Sequence, residues 1–115
     1  MSARASRGEI WWVDLAPTKG HEQSGRRPAL IISADTFNHG PAGLVVVLPM
    51  TTTDRGIPLH VRIEPPEGGV EKPSVILCDQ IRTISTTRLH TRLGSVSPDT
   101  IRKIHERLQI LLCLS

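Results

Sequence analysis

The chain has 115 residues and a mass of 12.6 kDa, the size of one domain, and at that length roughly two-thirds of the unfolded surface leaves water, which predicts one core and not two. Apolar residues make up 38% and charged residues 22%, with no low-complexity tract, so a disordered chain is excluded. The longest nearly unbroken apolar run is Leu44–Met50, far short of the ~20 residues a membrane-spanning helix needs, so no membrane partner is expected. The opening MSARASR is charged with no apolar stretch behind it, unlike a secretory signal. Two cysteines make no disulfide framework, and Cys78 and Cys113 are expected to be buried thiols in a reducing cytosol.

Fourteen basic residues against eleven acidic give a net charge of +3 and a pI near 9.4, which permits a polyanionic partner without demanding one. Eleven of the fourteen are arginines. Arginine presents a planar, always-protonated fork that matches phosphate bidentately. Arginine-rich coding in a GC-rich genome accounts for the same count equally well.

No repeat or linker divides the sequence, so residues 1–115 read as one domain, with residues 1–6 loose. Ile10–Leu15 is β-branched and aromatic, closed by Pro17, and predicts a strand. Pro28 suits the start of a strand, which predicts the next one at Ala29–Ser33. Leu44–Met50 is nearly continuous Leu and Val, as in a strand buried on both faces. Leu59–Ile63 alternates as a strand with one wet face. Ser74–Ile84 is the longest strand predicted, and Leu93–Val96 a short last one. Gly40-Pro41, Arg55-Gly56-Ile57-Pro58 and Gly68-Gly69 mark turns. The one helix comes last: Ser97 is an N-cap, Pro98 fits the first helical position, and Ile101, Ile104, Leu108, Leu111 and Leu112 share a face. Together these elements predict a mainly β fold, a strongly bent antiparallel sheet or small barrel with a C-terminal helix packed on it. The loop from Ala16 to Arg27 is long for so small a domain, and such loops are often functional.

The five histidines lack i, i+4 partners, and no HEXXH, CXXC or EF-hand spacing occurs, so no metal is expected. Gly20 and Gly25 precede a strand and lack a following Gly-Lys-Ser/Thr, which excludes a phosphate-cradling loop. A GXSXG elbow is absent. What remains is the polar run His21 to Arg27, the hydroxyls Thr51, Thr52 and Thr53, and Asp79-Gln80 with Arg82. A solvated loop and a fraying strand end explain the first two. Asp79 inside an apolar stretch is harder to dismiss. Strand alternation would put Asp79 and Ile81 on one face and Gln80 and Arg82 on the other, and a buried Asp needs a polar partner.

The segments RGEIWWVDLAPTKGHEQSGRRPALIIS, VLPMTTT, SVILCDQIRTIS and RLGSVSP before an amphipathic helix resemble the MazF/PemK (Kid) toxins of bacterial toxin–antitoxin pairs, from Arg7 to about Leu114. The resemblance implies an SH3-like β-barrel of the MazF/CcdB type with a C-terminal helix, a cytoplasmic homodimer, and a metal-independent endoribonuclease without cofactors. Such proteins cut single-stranded RNA, chiefly mRNA, and so stop translation; a MazE-like antitoxin blocks the site with an extended acidic segment. Carried over by position, the catalytic residues are Arg27 of the GxRPA segment, Thr51 after the VPxT-type strand, and Glu22 of the GxEQ loop. Asp79 occupies the position some members use as a base. Leu77 stands where Kid-type members have an Arg two residues earlier, which favours Arg27 with Thr51 over a centre on Asp79. His21 stands where relatives often have a small hydroxyl residue.

The residue types suit RNA cleavage by the neighbouring 2′-hydroxyl, leaving a 2′,3′-cyclic phosphate and a 5′-hydroxyl. That reaction needs a proton removed, charge on phosphorus stabilised and a leaving oxygen protonated. Arg27 and Thr51 can serve the phosphate. An arginine holds its proton throughout the physiological range, so Arg27 is a poor base; Glu22 is a candidate base if its loop folds over the sheet, and the identity of the base stays open on the sequence. With only Trp11, Trp12 and Phe37 as aromatics, and alternation sending at most one Trp into a given core, RNA binding rests on His21, Gln23, Arg26, Thr52, Asp79, Gln80 and Arg82. Two other classes stay open on the sequence: a non-catalytic SH3-like module binding nucleic acid or protein, and a CcdB-like gyrase poison.

Overall fold

The computed structural model describes residues 4–15 and 25–115. The strands, in chain order, are β1 (Glu9–Leu15), β2 (Gly25–Ile31), β3 (Leu44–Thr51), β4 (His60–Ile63), β5 (Ser74–Leu77), β6 (Arg82–Ser85) and β7 (Leu89–Ser95). A one-turn helix α1 (Asp35–Asn38) follows β2, and α2 (Pro98–Leu112) closes the chain. All pairings are antiparallel, in the order β4-β5-β3-β2-β1-β7, with β6 also on β3. The result is the mainly β, barrel-like sheet with a C-terminal helix that the sequence predicts.

Three differences from the sequence reading have local causes. The stretch Ser74–Ile84 is not one strand: β5 pairs with β3 at Thr51 and Met50, a 3₁₀ turn at Cys78–Gln80 reverses the pleat, and β6 then pairs with β3 at residues 44–47. The alternation argued for Asp79, Gln80, Ile81 and Arg82 therefore does not apply across the turn. Second, β2 begins at Gly25 with Pro28 inside it, opposite Trp12. Proline is tolerated there because β3 pairs with β2 only from Ala29 onward, so the missing N–H faces an open edge. Third, residues 5 and 6 are anchored: Ala5 is buried, its carbonyl meets His39 Nε2 at 2.8 Å, and the Ser6 N–H donates to Glu9.

Two apolar clusters form where one was expected, because a sheet this bent is covered on both faces. Trp11, Val13 and Leu15 of β1 join Ala29, Ile31, Val45, Val47 and Ile84 in the first. Ile10, Leu30, Leu48, Met50, Val61 and Ile76 form the second, beneath Ile104 of α2. Alternation explains the split: neighbouring residues of each strand enter opposite clusters, and Trp12 is left exposed. The turn Glu67–Gly69 ties α2 down. Glu67 Oε2 accepts the Ser97 N–H at 2.9 Å and the Thr100 hydroxyl, and Ser97 Oγ caps the helix by accepting from the Thr100 N–H. Burial works against the Glu67 charge, yet the bonds from Thr100 and Ser97 hold its carboxyl below the usual range.

Helix α2 ends at Cys113, which takes a left-handed conformation and is exposed, not buried. Cys78 is buried, as expected, and burial pushes its thiol up to about 11, so it stays protonated and is no nucleophile. Among the described residues, no helix is long and apolar enough to cross a membrane.

Candidate nucleic-acid cleft

The first cluster ends in a cleft of about 430 Å³, and its floor is set by strand register. Pairing between β2 and β3 runs Ile31 with Val47, Leu30 with Leu48 and Ala29 with Pro49, and then the strands part. Continuing the count places Arg27 across from Thr51. Both fall on the face that carries Ala29 and Ile31 in β2, and Val45 and Val47 in β3. On the other side of β3, Arg82 pairs with Val47 and continues the stripe of Ile84. Three apolar stripes thus end in polar side chains at one end of the barrel, and Leu15 joins the cluster to the cleft wall.

The remaining walls come from turns. Thr51 Oγ1 accepts the Thr53 N–H at 3.1 Å, which leaves the threonine O–H free to donate into the cleft. Asp54 Oδ1 accepts the Gly56 N–H at 2.9 Å, and its other oxygen takes Arg62 at 3.2 Å. The Gly56 N–H and the Arg62 guanidinium hold the Asp54 carboxyl below its usual range. This clamp shapes the loop that presents Thr53 and Arg55 to the cleft. The 3₁₀ turn presents Asp79 and Gln80, and the start of β4 presents His60, whose Nε2 lies 2.8 Å from Asp79 Oδ1. The lining therefore carries three guanidinium groups, Arg27, Arg55 and Arg82, against one carboxylate. Among the described residues none of the three has an ion-pair partner, whereas Arg62, Arg92, Arg102 and Arg107 all do.

Of the residues singled out from the sequence, Arg27, Thr51, Thr53, Asp79, Gln80 and Arg82 line this cleft. Arg26 is exposed on the opposite side of β2, and Thr52 is exposed without contributing to the lining. Glu22, His21 and Gln23, with the rest of the loop from Ala16, lie outside the described residues. Arg55 and His60 line the cleft and escaped the sequence reading. His60 carried one signal: in His60–Ile63 it shares the polar side of the alternation with Arg62 while Val61 and Ile63 are buried. Among the described residues, no aromatic ring reaches the lining. Among the described residues, no three His, Cys, Asp or Glu side chains converge as metal ligands.

This is a small antiparallel barrel whose open end holds arginines without ion-pair partners among the described residues, set around a threonine hydroxyl, an arrangement chemically suited to a polyanionic strand. Residues 6–112 match the family described as PemK-like, MazF-like toxins of type II toxin–antitoxin systems, and the chain belongs to that family. It is 38% identical over 109 residues to the endoribonuclease EndoA of Bacillus subtilis strain 168, covering 94% of each chain. Its structure resembles MazF of Deinococcus radiodurans, with a TM-score of 0.83 at 30% identity over 96% of this chain and 98% of that one. It also resembles a mycobacterial endoribonuclease solved in complex with its cognate antitoxin, with a TM-score of 0.80 at 31% identity over 96% and 97%.

Proposed function

We propose that this member of the toxin family is a cytoplasmic endoribonuclease that cuts single-stranded RNA, chiefly mRNA, without a metal. Attack by the 2′-hydroxyl on the adjacent phosphorus leaves a 2′,3′-cyclic phosphate and a 5′-hydroxyl. The observation that supports this best is the register placing Arg27 opposite Thr51 where β2 and β3 part. In that gap a phosphate meets a planar fork from one side and a hydroxyl donor from the other. Both interactions strengthen as negative charge builds on the non-bridging oxygens, which is what accelerates the chemical step. Arg82 and Arg55 bind flanking phosphates, and Glu22 is the proposed base.

The partners proposed are the RNA, a second copy of the chain and a MazE-like antitoxin whose acidic segment competes for the same arginines. Exposed Ile110, Leu112 and Leu114 at the end of α2 offer apolar surface of the kind a partner covers. The near full-length match to proteins named as endoribonucleases favours cleavage over a passive binding module or a gyrase poison. In excess EDTA, purified protein is expected to cut single-stranded RNA at its full rate. Cleavage lost in EDTA and restored by Mg²⁺ or Zn²⁺ would overturn the mechanism.

A further inference from the structure

Among the described residues Asp79 is the one carboxylate lining an otherwise arginine-rich cleft, and a phosphate brought near it would be repelled. Yet it is held there firmly. His60, whose side chain is only 7% exposed, places Nε2 2.8 Å from Asp79 Oδ1. The other ring nitrogen, Nδ1, is buried and meets no partner among the described residues. The ring proton therefore sits on Nε2 and is donated to the carboxylate. A buried ring cannot swing aside, so Asp79 is fixed while remaining 35% exposed to the cleft. No other side chain or backbone group among the described residues bonds Asp79, which leaves Oδ2 open. A carboxylate oxygen only accepts hydrogen bonds. The donors an RNA strand offers beside its phosphates are the ribose 2′-hydroxyls, which are the same on every nucleotide and carry no base preference, and the base N–H groups, chiefly the amino groups of adenine, cytosine and guanine. Uracil presents its single N–H between two carbonyl oxygens that repel a carboxylate.

We propose that Asp79, positioned by His60, accepts a hydrogen bond from the amino group of one unpaired base and so selects an amino-bearing base over uracil at one subsite of the RNA. This rests on the endoribonuclease reading above and adds the residue pair that sets its specificity. Sequence-selective RNA recognition works through such contacts to the edges of unstacked bases. A site built to bond a substrate group penalises the analogue that lacks it.

The test is cleavage of a randomised single-stranded RNA pool by the full chain, read as base preference at each position around the cut. Wild type is expected to show one position where A, C or G is preferred over U by about tenfold or more. Asp79→Asn, which presents an amide donor to the cleft, should erase or invert that preference while the preferences at other positions stand. His60→Phe should weaken the same preference, and His60→Gln, whose amide can still donate to Asp79, should restore most of it. Deleting the amino group of the selected base, for example purine riboside in place of adenosine, should slow wild type about tenfold and Asp79→Asn hardly at all. A uniform fall in rate for Asp79→Asn with every positional preference intact would overturn the proposal, as would His60→Phe leaving the Asp79-dependent preference unchanged. Wild-type protein that cuts no RNA would remove the endoribonuclease reading itself, a result distinct from cleavage that is indifferent to Asp79.

Discussion

Arg27→Ala is expected to lower single-stranded RNA cleavage by at least about 10²–10³-fold, the cost of losing one preorganised donor to a developing oxyanion, while the melting temperature stays within a few degrees of wild type. Arg27 sits on β2 opposite Val13 of β1, so its backbone is held by the ladder on one side. On the other side β3 has parted from β2, so the guanidinium reaches the cleft and not the core. Its removal therefore opens no cavity in either cluster, and partly exposed substitutions of that kind change stability by about half a kcal/mol. Arg27→Lys should also cleave poorly, because a point charge cannot grip two phosphate oxygens in fixed geometry. Arg26→Ala is the internal control. Arg26 lies one residue away on the opposite side of the strand and outside the cleft lining, so it should weaken RNA binding only at low salt. Gel-based cleavage rates with thermal melts of all three variants decide the matter. An inactive Arg26→Ala beside an active Arg27→Ala would shift the site to the other face of β2.

Gly69→Ala is expected to unfold the domain or lower its melting temperature by more than about 10 °C, reflecting a loss of several kcal/mol. Gly69 has φ +77°, where an L side chain is strained by about 1–2 kcal/mol. More seriously, an added Cβ would overlap the carbonyl of Leu93 in β7, a backbone group that cannot turn aside. The approach is mutual: a Cβ on Gly94 would stand 2.7 Å from the carbonyl carbon of Gly68. Here the Glu67–Gly69 turn lies backbone to backbone on β7, with Glu67 gripping the start of α2. Forcing them apart would loosen the helix that covers the second apolar cluster. Gly43→Ala is the comparison, since Gly43 has φ +68° with no atom near its absent Cβ. It should show the strain alone, about 1–2 kcal/mol. Equal melting temperatures for the two variants would show that the close approach to β7 carries no weight.

The class of fold was legible in the sequence because it follows from local pattern, whereas the residues of the cleft were reached largely through the family resemblance. Alternation in IWWVDL and continuous Val in LVVVLP fix strands, and Ser97-Pro98 fixes the start of α2. Arg27 and Thr51 could be named only through the resemblance to the toxin family, by their places in the GRRPA and VLPMTTT segments; the strand pattern alone assigns them no role. What escaped depends on distant partners. The break of Ser74–Ile84 at Cys78–Gln80 follows from β3 accepting two successive partners on one edge, which no local propensity encodes. Pro28 was placed at a strand start because the open edge that tolerates it appears only once β3 diverges. Beyond its place on the polar side of β4, His60 gave no hint of its partner, since Asp79 is nineteen residues away and reaches it only through the β4–β5 pairing and the turn that follows. The second apolar cluster was missed because counting surface for one core ignores a sheet that buries both faces.

The proposed mechanism turns on the 2′-hydroxyl of the RNA acting as nucleophile, with the protein supplying charge, hydrogen bonds and the proposed base Glu22. The measurement that tests it most directly compares an RNA oligonucleotide with its counterpart carrying a single 2′-deoxy nucleotide on the 5′ side of the cut. The unmodified strand should yield a 2′,3′-cyclic phosphate and a 5′-hydroxyl, and the deoxy strand should resist cleavage at that bond. Cutting of the deoxy strand at a comparable rate, or products bearing a 5′-phosphate, would contradict it.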